Sequence, residues 1–164
     1  MSEQDNIDLW LQRHLRILSK DDLSPAFFSS STIVGIGDRT RQRWQIAVDT
    51  IYRCIVSDLV RVLTPKYRDN RDEFFHAIRT LNPFDDNGVV LWNGVVLCST
   101  DGLIALIDKY FPKTEGYDPR ANPAFIEKLR AIFSENSVPW SDAPLLPIIA
   151  RDPDQSETSP SAIR

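Results

Sequence analysis

Apolar residues recur at helical spacing along most of this chain. Between positions 7 and 18 they recur at steps of three, four and seven residues, which predicts an amphipathic helix that begins after Asp5 or Asn6. The same period continues through the longest predicted helix, from Asp38 to about Leu63, which ends because Thr64-Pro65 cannot continue it. The pattern therefore favours a mainly α-helical protein.

Capping residues predict the starts of three further helices. Side-chain oxygens of Asn, Ser, Thr and Asp accept hydrogen bonds from the free N–H groups of a first helical turn, and proline fits the first helical position. The predicted starts are Asn70, with Glu73 three positions later as in a capping box, then one of Ser99, Thr100 and Asp101, and finally Asn122 followed by Pro123.

One segment departs from the helical period. Residues 89–98 form two apolar runs of four, joined by an Asn-Gly pair that fits a two-residue type I′ turn. We predict a β-hairpin with Asn93-Gly94 as its loop. Both faces of this ribbon are apolar, so we expect the rest of the protein to cover it above and below. Residues 32–34 are a candidate third strand beside it.

The predicted fold is mainly α within the α+β class, with about five helices packed around a small antiparallel β-hairpin and an optional third short strand. We predict one globular domain over residues 1–150. Three prolines exclude a regular helix from residues 138–149, whose apolar side chains predict an extended strap across the domain. Residues 151–164 are polar and are predicted to form a disordered tail.

Composition narrows the class of protein further. The N-terminus is acidic and has none of the features of a signal peptide, so we predict a cytoplasmic protein without membrane contact. Cys54 and Cys98 each lie in an apolar stretch, which predicts two buried reduced thiols. Arginines outnumber lysines 14 to 5, which is typical of a GC-rich bacterial genome.

Charge is distributed unevenly between the two halves. Residues 1–82 carry 12 basic and 11 acidic side chains, whereas residues 83–164 carry 7 and 12. An acidic second half favours a basic protein partner. The candidate contact residues are the carboxylates Asp85, Asp86, Asp101, Glu115 and Asp118, with Trp92 as an aromatic anchor.

The leading hypothesis is a non-enzymatic cytosolic binding protein. The motifs G-x-S-x-G, H-E-x-x-H and C-x-x-C are missing from the sequence, and no cofactor or metal site is predicted. A bacterial immunity or antitoxin-like inhibitor that masks a basic partner, such as a nuclease toxin, fits the small size and the acidic half. The oligomeric state stays open.

Two alternatives remain at this stage. Arg39, Arg41 and Arg43 surround a predicted helix start, where backbone N–H groups attract anions, so they are candidate ligands for a phosphorylated molecule or nucleic acid. The overall negative charge argues against a large nucleic-acid interface. The second alternative is an enzyme that uses His76, which follows Asp72 by one helical turn. His14, beside the first apolar stripe, is predicted to be a structural residue with satisfied hydrogen bonds.

Overall fold

The structure is a computed structural model that describes residues 2–112 and 120–150. Most of its ordered elements are helices, and the strands form one small antiparallel pair, as the predicted class requires. Within the described ranges the elements are α1 (Glu3–Leu18), α2 (Ala26–Ser30), α3 (Arg41–Val56), β1 (Val60–Val62), α4 (Pro65–Arg68), α5 (Arg71–Thr80), α6 (Asp86–Gly94), β2 (Leu97–Ser99), α7 (Asp101–Tyr110) and α8 (Pro123–Glu135). Eight described helices exceed the predicted five, mainly because the single-turn helix α4 and helix α6 were not predicted.

Helix α3 lies at the centre of the core. Trp44, Ala47, Val48, Ile51 and Cys54 are each at most 1% exposed. Helices α2 and α5 and strand β1 all pack against it. The apolar face of α3 is therefore buried inside the protein. This helix, and not the predicted hairpin, lies at the centre of the core.

The prediction that this helix continues to Leu63 is wrong. It ends at Val56, and Asp58 reverses the chain with a positive φ of 54°. Residues 60–62 then alternate between buried and exposed positions, as a strand does. The prediction failed because Leu59 and Val62, which are buried in and next to this strand, also continue the helical period of α3.

The predicted hairpin over residues 89–98 is also wrong. Its first half is helix α6, and its second half is β2, which pairs antiparallel with β1 so that Val60 faces Ser99 and Val62 faces Leu97. The Asp85 side chain accepts a hydrogen bond from the backbone N–H of Gly88 at 2.8 Å and so caps the helix. Val90 is 75% exposed, so the expected cover on both faces is absent there.

The local capping predictions are confirmed. The Asn70 side chain accepts from the backbone N–H of Glu73 at 3.2 Å, and Thr100, among its three candidates, caps α7. Asn122 caps α8 with Pro123 in the first turn. The candidate third strand at 32–34 does not join the sheet, because Ile33 makes a single bridge within its own loop.

The predicted extended strap over residues 138–149 is confirmed. Within it, the backbone N–H of Leu146 donates to Asp49 Oδ1 at 3.0 Å. Gln45 bonds both sides of the same stretch, accepting from the N–H of Ile148 and donating to the carbonyl of Leu146, each at 2.9 Å. Arg53 donates from Nε and Nη2 to the carbonyl of Pro139. Polar side chains at four-residue spacing on α3 thus hold the strap by its main chain.

Both thiols, Cys54 and Cys98, are buried and free, as predicted. A single apolar cluster joins side chains from Trp10 to Val138. The predicted disordered tail, residues 151–164, lies outside the described residues.

Replacement of Gly88 by alanine tests helix α6. A Cβ atom at Gly88 would lie 1.7 Å from the carbonyl oxygen of Asn82, so we expect Gly88→Ala to lower the free energy of unfolding by about 3 kcal/mol. A Cβ at Gly94 meets nothing within 4 Å, so Gly94→Ala is neutral or stabilises by about 0.5 kcal/mol. Urea unfolding measures both. A large loss for Gly94→Ala would instead support a type I′ turn, where this glycine needs positive φ.

Removal of the Asp49 carboxylate tests the strap. Asp49→Ala leaves the partly buried N–H of Leu146 without its acceptor, so we expect the free energy of unfolding to fall by about 2 kcal/mol. Asp142→Ala is the matched control, because this residue lies in the strap but is exposed. Equal unfolding midpoints for the two variants in urea would contradict the proposed anchoring.

Candidate functional site

A groove of about 530 Å³ lies between α2, the start of α6 and the loop before α3. We call it the acidic groove. Its lining includes three carboxylates, one guanidinium and an apolar rim: Asp38, Arg39, Phe84, Asp85, Asp86 and Val89. Two of the predicted contact residues, Asp85 and Asp86, therefore share one surface with Asp38, which the sequence had not singled out.

Among the described residues, the carboxylates of this groove form no close ion pair, although the charge of Arg43 acts on Asp38. In residues 2–112 and 120–150, none of Asp38, Asp85 and Asp86 forms an ion pair within 4 Å. Asp85 is occupied as the cap of α6, which fixes its position, while Asp86 is exposed in the first helical turn. Val89, 41% exposed, adds apolar surface next to the acids.

Arg39 is the cation of the groove. Its Nη2 donates to the carbonyl oxygen of Phe84 at 2.8 Å, and its guanidinium carbon lies 5.9 Å from the centre of the Phe84 ring. The backbone of Arg39 has a positive φ of 55°. Arg39 thus links the loop before α3 to the segment before α6, and one positive charge faces three negative ones.

Trp92 does not belong to this surface. Its side chain is fully buried, and its indole N–H donates to the carbonyl of Leu81 at 2.6 Å. The prediction of Trp92 as an interface anchor is therefore corrected, because on a helix this residue lies one turn after buried Gly88. Asp101 is exposed at the start of α7 and does not line the acidic groove. Glu115 and Asp118 lie outside the described residues.

The three arginines near the start of α3 do not converge. Arg43 is fully buried, with Nη2 donating to the carbonyl of Ser31 and its guanidinium 5.8 Å from the Trp10 ring centre. Arg41 lines a different, smaller cleft beside Trp44. The predicted grouping of Arg39, Arg41 and Arg43 is thus corrected. Arg39 lies in the loop before α3, and Arg41 and Arg43, two residues apart on the helix, point in different directions.

Other predicted chemistry finds little support in the geometry. His76 is exposed on α5 and lines none of the clefts described here. Among the described residues, no group of three or more His, Cys, Asp and Glu side chains is placed to bind a metal ion. No described helix has the length and apolar character needed to cross a bilayer.

A second cleft, of about 550 Å³, lies between α3 and the strap. Asp49 and Arg53 line it, and burial raises the pKa of Asp49 and lowers that of Arg53. The Arg53 guanidinium lies 4.7 Å from the ring centre of Trp140. These buried charges bond the strap backbone, so their arrangement serves anchoring. In the sequence, this arrangement is indicated by the four-residue spacing of Gln45, Asp49 and Arg53 within an apolar helix.

The third feature is a buried polar network around His14, below a cleft of about 210 Å³. His14 is 4% exposed and lies against the rings of Trp10, Phe27 and Phe28. Burial lowers its pKa to about 4, against backbone hydrogen bonds to Trp10 and Phe27 that raise it. The predicted satisfied hydrogen bonds of His14 are confirmed by these partners.

Comparison with known proteins yields no match, whether to a family model, a curated protein or a solved structure. The acidic groove, the cleft beside the strap and the His14 network are therefore the features that bear on function.

The low pKa of His14 predicts an acid-sensitive fold. His14 binds a proton with a pKa of 6.5 in the unfolded chain and of about 4 in the folded protein. The folded state therefore has its full stability above pH 6.5 and loses stability as the pH falls towards 4. We expect a loss of about 3 kcal/mol over this interval. Urea unfolding across this pH range measures it. His14→Gln should remove this pH dependence and exposed His76→Gln should keep it; an equal slope in both variants would contradict the assignment.

Proposed function

We propose that this protein is a cytosolic binding protein whose acidic groove holds a basic segment of a protein partner. The observation that carries the proposal is the set of carboxylates, Asp38, Asp85 and Asp86, that line one groove without an ion pair among the described residues. Opposite charge on a partner would steer association and satisfy these acids. No catalytic step at the groove is needed for this role.

The groove also has features that favour a protein over a free cation. Val89 and Val90 expose 41% and 75% of their surface beside the acids, and apolar area adjoining charge is typical of protein contact surfaces. The Phe84 ring, already in contact with Arg39, offers a face for a second guanidinium. A partner segment that carries arginines and apolar side chains matches both features.

An immunity or antitoxin-like role is the specific form of this proposal. Nucleases bind phosphate backbones through basic surfaces, so an acidic inhibitor blocks them by covering the same surface. The excess of acidic over basic side chains in residues 83–164 supports this form.

Charge removal at constant helix capping tests the proposal. The probe is a short amphipathic peptide with arginines on one face, and the same peptide with glutamates in their place is its control. Asparagine caps helices as well as aspartate does, so Asp85→Asn with Asp86→Asn removes two charges and keeps α6. We expect the Kd for the arginine peptide to rise about tenfold at low salt, and the difference to shrink as salt screens it.

Asp101→Asn is the matched control variant, because Asp101 is the first residue of α7 as Asp86 is of α6. It should leave the Kd unchanged. Fluorescence anisotropy of the labelled peptide measures the Kd for the wild type, the double variant and Asp101→Asn. An unchanged Kd in the double variant, or equal binding of the glutamate peptide, would contradict the proposal.

A further inference from the structure

Ser31, directly after α2, lies next to His14 in the third cleft. Its Oγ is 2.7 Å from His14 Nε2, which is a hydrogen-bond distance. Both residues line the cleft of about 210 Å³, and Ser31 is half-buried, so its hydroxyl is reachable from that cleft. The pair has the separation of a serine and its general base.

The protonation of the pair follows from its partners. His14 Nδ1 lies 2.7 Å from the carbonyl oxygen of Trp10, which only accepts hydrogen bonds, so Nδ1 carries the ring proton. The Nε2 lone pair of the neutral ring then accepts the proton of the Ser31 hydroxyl. The indole N–H of Trp10 donates to Ser31 Oγ at 2.8 Å, which holds the hydroxyl in this orientation. The Ser31 hydroxyl, the His14 ring and the Trp10 carbonyl thus form one chain of hydrogen bonds.

The surroundings also accommodate the proton after its transfer. The Phe27 carbonyl oxygen lies 3.2 Å from Nε2, so an imidazolium would have carbonyl acceptors at both nitrogens. Burial works in the opposite direction and keeps the resting imidazole neutral, with a pKa of about 4. The ring is therefore in its base form at neutral pH.

A buried positive charge lies behind the serine. Arg43 is 0% exposed and donates from Nη2 to the carbonyl of Ser31, while its Nε and Nη1 have no hydrogen-bond partner in the described part of the chain. Its charge favours negative charge that develops near Ser31 and disfavours the imidazolium. Within the described part of the chain, Arg43 of α3 acts on the charge of His14, and Arg13 of α1 lines the same cleft.

We infer that Ser31 is a nucleophilic serine that small carboxylic esters acylate in this cleft. Ser31 Oγ forms a bond to the ester carbonyl carbon, and the hydroxyl proton passes to His14 Nε2. The ester C–O bond breaks, and the leaving alkoxide takes that proton. Water then attacks the acyl-serine with His14 again as base, which releases a carboxylic acid and restores the hydroxyl.

The cleft limits the size and polarity of the acyl group. Apart from its polar residues, it is lined by apolar side chains, among them Ile17, Ile33 and Val34. A volume of about 210 Å³ suits a short acyl chain. This inference is independent of the acidic groove and of the partner proposed for it.

A fluorophosphonate probe and p-nitrophenyl acetate test the inference on the full chain. The probe forms a bond between phosphorus and Ser31 Oγ and releases hydrogen fluoride, and peptide mass mapping locates the adduct. We expect labelling at Ser31, its loss in Ser31→Ala, and a burst of p-nitrophenol that the same variant abolishes. Ser30→Ala is the matched control, because the exposed Ser30 hydroxyl bonds only the Ala26 carbonyl, so this variant should label like the wild type.

The role of His14 has its own measurement. The labelling rate should be constant near neutral pH and fall as the pH drops through about 4, and His14→Gln should lower it about a hundredfold while circular dichroism shows a folded chain. If His14→Gln fails to fold, the pH profile of the wild-type protein, followed together with its circular dichroism, tests the role of His14. Absence of an adduct at Ser31, or equal labelling of Ser31→Ala, would overturn the inference and leave the pair a structural contact.

Discussion

The structure depends on the burial of α3 together with its polar side chains. A buried hydrogen-bonding group without a partner costs about 1–3 kcal/mol, so the polar side chains of this helix that do find partners bind neighbouring segments to it. Among the described residues, Thr50 Oγ1 and two of the Arg43 nitrogens have no such partner. Trp44 donates to the carbonyl of Ile78 at 2.8 Å, and Arg43 bonds the carbonyls of Ser29 and Ser31. Asp49 and Arg53 bond the strap. One helix therefore determines where α2, α5 and the strap lie.

The candidate sites follow from this arrangement. Arg43 holds the end of α2, and α2 forms one wall of the acidic groove and carries the residues that precede Ser31. The loop that leads into α3 supplies Asp38 and Arg39 to the same groove, opposite Asp85 at the start of α6. The groove and the His14 network thus lie on two sides of one short helix, and α3 positions both.

Local interactions were predictable from the sequence, and long-range ones were not. Asn70 and Asn122 were identified as caps, and Thr100 was one of three candidates, because the residues that a cap bonds lie within one helical turn. The prolines of the strap likewise predicted an irregular segment, because a proline disrupts the helix within its own turn. In contrast, an apolar run before Asn-Gly fits both a strand with a tight turn and the last turns of a helix. The structure resolves this ambiguity through Asp85, which caps α6.

The candidate site shows the same difference between local and long-range interactions. Asp85 and Asp86 were identified from charge alone, but their proximity to Asp38 and Arg39 joins positions more than 40 residues apart along the chain. Trp92 and Arg43 look like surface recognition residues by type, yet both are fully buried, because α3 and α6 turn these positions inward. The pairing of Ser31 with His14 spans 17 residues and has no local sequence signal.

Amide hydrogen exchange at Leu146 and Ile148 tests the central role of α3 most directly. Their N–H groups have only side-chain acceptors on α3, Asp49 Oδ1 and Gln45 Oε1, and no helix or strand of their own. If α3 holds the strap, both amides exchange far more slowly than in an unstructured peptide. Exchange of both at the unstructured rate, while the amides within α3 stay protected, would contradict the account.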